Sequence, residues 1–136
     1  MHLEATFTTT QFTPADVTPA DPVVTGVSVG AATFEKRFAG DVVGRSATLF
    51  TSAFDPGRGQ GTYVAIESFE GTVGGRSGTF AFTHAASTHG TDRFDDYFAL
   101  VPGSGTGGLA GITGSGALWV DDDGTHRLRL DCTIED

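Results

Sequence analysis

The chain has a single cysteine, Cys132, so no disulfide can form within it, and its thiol content does not call for an oxidising compartment. It has a single lysine, Lys36, and its seven arginines are scattered along the sequence. Neutralising a nucleic-acid backbone or an anionic membrane needs clustered basic side chains, so no nucleic-acid partner and no membrane partner is expected. No apolar run approaches the roughly 20 residues that cross a bilayer as a helix. The opening MHLEATFTTT has neither the basic nor the apolar region of a secretory leader, which makes a cytoplasmic location the expectation. Strong helix formers are also few, with seven Leu and one Met.

What the chain does have is Thr, Val, Gly and a heavy aromatic load of eleven Phe, two Tyr and one Trp. That balance favours strands and turns. The net charge of −9 reads as a solubility feature. The length of 136 residues suits one domain spanning residues 1–136, with a core that needs no covalent staple.

Alternation with a period of two recurs throughout. His2 to Thr10 sets Leu3, Ala5 and Phe7 against Glu4, Thr6 and Thr8. A loop holding Pro14, Pro19 and Pro22 follows, unsuited to a central strand. Val23 to Ala39 reads as one long or broken strand, with Phe34, Lys36 and Phe38 on one face. Its parity changes near Gly30, which suggests a bulge there. Arg45 to Ala53 and Thr62 to Glu70 flank the turn Asp55-Pro56-Gly57-Arg58-Gly59. In the second of these strands Tyr63, Ala65, Glu67 and Phe69 share a face, and Val64 and Ile66 share the other. Ser77 to Ala86 groups Gly78, Phe80, Phe82 and His84. Asp95 to Val101 follows. Ser115 to Val120 and Thr125 to Ile134 form a hairpin with Asp122, Asp123 and Gly124 at its tip. About eight strands and no sustained helical period predict an all-β domain. The sheet is expected to be a single antiparallel barrel, closed or nearly closed.

Three segments carry a family resemblance: GTVGGRSGTFAFTH (Gly71 to His84), VPGSGTGGLAGITGSG (Val101 to Gly116) and DDGTHRLRLDCTI (Asp122 to Ile134). In order and spacing they resemble the bacterial domain of unknown function 3224 family, over most of the chain after about Gly26. The resemblance implies an allene-oxide-cyclase-like barrel, the fold shared with plant allene oxide cyclases and dirigent proteins. Those proteins handle apolar or phenolic small molecules and tend to form homo-oligomers. The bacterial family itself has no established activity, and no catalytic residue of the plant cyclases aligns with this chain.

The glycine-rich segment contains a literal G-x-G-x-x-G at Gly103, Gly105 and Gly108. A dinucleotide fingerprint needs a strand before it and an ordered helix after it. Here Gly111, Gly114 and Gly116 follow, each unfavourable in a helix by about 1 kcal/mol relative to Ala. The segment is therefore expected to be a tight crossover, with at most one helical turn around Thr106 to Gly111. No metal-ligand spacing and no cofactor motif is present. Cys132 lies on an apolar face and reads as a small buried hydrophobe.

Three polar residues sit on otherwise apolar faces: Glu67, His84 and His126. If those faces line a lumen, a carboxylate and an imidazole there suit general acid–base work. Two functional classes follow, together with a structural one. The first is a binding module with a lumen lined by Tyr63, Phe69, Phe80, Phe82 and Trp119, holding a small hydrophobic or phenolic ligand. The second is a cyclase- or isomerase-type enzyme using Glu67 with His84 or His126. The third is a filled barrel acting through its surface or its oligomer. A homo-oligomer is expected, because several strands carry apolar residues on both faces.

Overall fold

The computed structural model describes residues 1–134, and all their regular structure is β-strand. In chain order the strands are β1 (His2–Ala15), β2 (Ser28–Gly40), β3 (Val42–Asp55), β4 (Gln60–Val73) and β5 (Arg76–Thr88). Then come β6 (Phe94–Leu100), β7 (Thr106–Gly107), β8 (Thr113–Val120) and β9 (His126–Thr133). Every pairing is antiparallel, and the sheet runs β6-β5-β4-β3-β2-β1-β9-β8. Its two end strands, β6 and β8, approach each other and leave a nearly closed eight-stranded barrel, as expected. The two-residue β7 stands outside this order and pairs with β5.

Alternation decides which side chains enter the barrel. On β4, Ala65, Glu67 and Phe69 are buried, whereas Val64 and Ile66 are about half exposed. On β2, Ala32, Lys36 and Phe38 are buried on one parity. That parity runs unbroken, because β2 pairs with β3 in continuous register from Ser28 to Phe38. The bulge expected near Gly30 is instead in the partner strand, where the β1–β2 register slips between Thr10 and Thr13 and Gln11 takes φ 59°. Val29 looked like a change of face because it has no core to meet; it is 76% exposed. Strand β2 accordingly begins at Ser28 rather than Val23. Pro14 also departs from expectation by lying within β1, opposite Ala32 and one residue before the strand ends. Pro14 is tolerated because β9 pairs with β1 only from His2 to Phe7, so β1 has no ladder on that side at Pro14.

One half of the barrel is solid. Phe38, Phe69, Phe80, Phe82, Leu128 and Leu130 pack into a single cluster with Val42 and Val73. Leu109 and Ile112, from the glycine-rich crossover, are buried in the same cluster and stop this end. Each such side chain contributes about 1.5–3 kcal/mol of burial. No helix begins at Gly108. The segment makes four-residue turns instead, with Leu109 N–H donating to Thr106 O and Ile112 N–H to Leu109 O.

Gly44, Gly71 and Gly78 face one another across β3, β4 and β5. Gly44 and Gly71 have φ near +150°, and a Cβ on either would lie 2.2 Å from a carbonyl oxygen of the facing strand. This row lets the sheet fold tightly across three strands. At Gly78 the missing side chain makes room for Thr106 O, which would stand 2.1 Å from a Cβ.

Candidate functional site

The other half of the barrel ends in a cavity of about 210 Å³ that is open on one side. Phe7, Phe34, Phe50, Tyr63 and Trp119 give it aromatic walls, and Leu118 and Val120 add aliphatic surface. Phe50 and Tyr63 stack with ring centroids 5.5 Å apart. An apolar cleft of about 360 Å³, lined by Phe12, Phe50, Phe54 and Tyr63 among others, shares that stack. Thr9, Lys36, His84, Arg93 and His126 add polar groups to the lining, beside the Tyr63 hydroxyl.

A chain of hydrogen bonds runs inward from this surface. Glu67, fully buried on β4, is its anchor. Lys36 Nζ donates to Glu67 Oε2 at 2.5 Å, and Ser46 Oγ donates to Oε1 at 2.6 Å. His84 Nε2 bonds the same Oε2. On the other side of the ring, His84 Nδ1 meets the Tyr63 hydroxyl at 2.7 Å. Arg93, from the loop before β6, donates to that hydroxyl at 3.1 Å. The register explains the convergence. Ala65 is directly opposite His84 on β4–β5, so His84 sits diagonally between Tyr63 and Glu67 on the same inner face.

Charge states follow from these contacts. Burial pushes the Glu67 carboxyl up, but the bonds from His84 and Lys36 more than offset this and leave it below the ordinary carboxylate range. Burial lowers the Lys36 ammonium, and its attraction to Glu67 only partly restores it. Burial also lowers His84 below the usual histidine value, against the pull of Glu67, so the ring is neutral at neutral pH. An ionised carboxylate only accepts, which places the His84 proton on Nε2. Nδ1 is then an acceptor, and the Tyr63 hydroxyl donates to it. Burial raises the Tyr63 phenol, while Arg93 beside it acts in the opposite direction.

Of the residues singled out from sequence, Glu67, His84 and Tyr63 are brought together, and Trp119 joins them in the cavity wall. His126 is separated from Glu67. It stands exposed at the rim, its ring 5.3 Å from that of Phe7, because it is the first residue of β9. Phe69, Phe80 and Phe82 lie in the packed half of the barrel rather than in this cavity. Lys36, Ser46 and Arg93 were not singled out. Alternation did hold a signal for Lys36, the only lysine, between Phe34 and Phe38 on one face. Arg93 lies in a loop, where no period announces it. Among the described residues, no three His, Cys, Asp or Glu side chains are grouped as a metal site would require.

Residues 3–132 match the model of a family described as protein of unknown function, DUF3224. Among solved structures, the chain is similar to the crystal structure of a protein of unknown function from the DUF3224 family of Shewanella oneidensis MR-1. The two share 28% identity with a TM-score of 0.81, over 100% of this chain and 98% of that one. No curated protein matches the chain.

Proposed function

This chain belongs to the DUF3224 family, and from the cavity at its barrel mouth we propose that it binds a small hydrophobic or phenolic ligand there. The observation that carries the reading is an aromatic-walled cavity of about 210 Å³ beside a barrel half that is already filled. An apolar cavity of roughly 150 Å³ accepts a benzene-sized molecule, so the volume suits a ligand with one ring. The polar groups are few and lie to one side, which is how a pocket fixes orientation while apolar walls supply affinity.

Trp119, the only tryptophan, lines the cavity and reports on it directly. Titration with a panel of monophenols and alkylbenzenes is expected to change its fluorescence saturably, and Phe50→Glu is expected to abolish the response. Absence of saturable binding across the panel overturns the reading. The contact between Glu67 and His84 favours a second reading, in which the same cavity performs acid–base chemistry.

A further inference from the structure

We infer that the barrel mouth takes up a weakly acidic hydroxyl compound, a phenol or an enol, and ionises it, with the Tyr63 hydroxyl as the group that meets it. This rests on the ligand-binding reading above and adds the ligand's chemical class and the route of its proton.

Glu67 is fully buried and does not reach the cavity, and His84, though its ring borders the cavity, is almost fully buried. Glu67 already accepts from Lys36, Ser46 and His84, and both His84 ring nitrogens are engaged. Tyr63 is different. It is partly exposed, lines the cavity, and gives its one proton to His84 Nδ1. Its oxygen is left as an acceptor, held by Arg93 from one side. A hydroxyl in the cavity can therefore donate to Tyr63.

Proton transfer along this line balances. The ligand O–H bond breaks and its electron pair stays on the ligand oxygen. The proton passes to Tyr63 Oη as the Tyr63 proton passes to His84 Nδ1. A neutral ligand and a neutral imidazole become an anion and an imidazolium, the latter lying against the Glu67 carboxylate. The anion forms where the Arg93 guanidinium sits, 5.7 Å from the centre of the Tyr63 ring. No oxidant or further reactant is needed.

The groups facing Tyr63 set how far this goes. His84 comes from β5, and Glu67 lies behind it on β4. Lys36 approaches from β2 and opposes the imidazolium, while Arg93 favours the anion. Asp96 of β6 lies 3.9 Å from Arg93, and His126 of β9 stands at the rim. The ligand class follows from acidity. A carboxylic acid arrives already ionised, and an aliphatic alcohol is far too weak an acid to yield its proton to an imidazole. Phenols and enols fall between, and aromatic walls suit the former.

The probe is 4-nitrophenol, whose anion absorbs at a different wavelength from the neutral form. Its apparent pKa is measured bound to the intact chain, with binding followed separately by Trp119 fluorescence. Wild-type protein is expected to favour the bound anion about tenfold, a downward shift of one unit. Tyr63→Phe is expected to bind more weakly and, with the probe saturated as judged by Trp119 fluorescence, to lose most of the shift. Arg93→Gln, at a more exposed position, is expected to reduce the shift, and circular dichroism checks that both variants fold. Binding without any shift, or a full shift in Tyr63→Phe, overturns the inference and leaves the binding reading standing. Absence of binding overturns both.

Discussion

At the scale of the residue, Lys36 and Glu67 carry the largest consequence. Two charges taken out of water cost several kcal/mol each, and the pair holds only because each satisfies the other and Ser46 and His84 complete the set. Glu67→Gln leaves the Lys36 ammonium buried without its counter-charge. It is expected to destabilise the fold by about 3–5 kcal/mol in urea titrations at neutral pH. The sign of its pH dependence is fixed. Because the folded state holds Glu67 below its ordinary value, this stability is complete above the unfolded carboxyl value and is lost as pH falls through the folded one. The gap between wild type and Glu67→Gln is therefore expected to narrow on acidification. Alternation in the sequence put Glu67 and His84 on faces shared with aromatic residues, but on β4 both parities are apolar, so it left open which face is the inner one. It did not reveal that His84 reaches Tyr63 on one side and Glu67 on the other. That depends on a cross-strand diagonal, and so on a register that no single strand encodes.

At the scale of the element, the glycines decide more than the apolar residues do. Gly71 lies in the middle of the row Gly44–Gly71–Gly78, with φ +152° and backbone from β3 against it. Gly71→Ala puts a methyl where no room exists and asks an L side chain to hold an unfavourable dihedral. Destabilisation well beyond 1 kcal/mol is expected, seen as a lower urea midpoint with an unchanged slope. The glycine-rich crossover was legible as a turn-forming segment, but its role as a stopper was not. Leu109 and Ile112 are two apolar residues in a run of small ones, and nothing in that run says they point into the barrel. The division into a filled half and an open half was equally hidden, because it depends on which inward side chains share a level around the barrel. Phe69 and Tyr63 are on the same face of one strand and end in different halves.

At the scale of the whole molecule, the outer face of the sheet carries large apolar side chains despite the net charge of −9. Leu49 and Ile66 are direct cross-strand partners and are 63% and 47% exposed, and Val64 beside them is 51% exposed. Such a patch on a sheet face predicts self-association. Light scattering coupled to size exclusion at micromolar concentration is expected to give a multiple of 14.1 kDa, and Ile66→Glu is expected to return the mass toward that value. A single-chain mass for the unaltered protein would refute this. The period of two made the patch visible in the sequence, since a strand with large apolar residues on both parities has one face too many for one core.

The junction of β6 with β8 gives the molecule a property of a different kind. The other strand boundaries around the barrel carry a backbone ladder, but among the described residues the two end strands meet through side chains. A Cβ at Gly116 would stand 2.7 Å from the Phe98 ring, so the two strands approach closely there. Trp119 is on β8, and Arg93 immediately precedes β6, so the two sides of this junction are also two walls of the cavity. Parting them breaks packing contacts but no ladder, and it leaves the β1–β5 meander intact. The junction is thus the boundary of the barrel with the least to break: local opening is expected to begin there, seen as amides of β6 and β8 that exchange with solvent ahead of those in the β1–β5 meander.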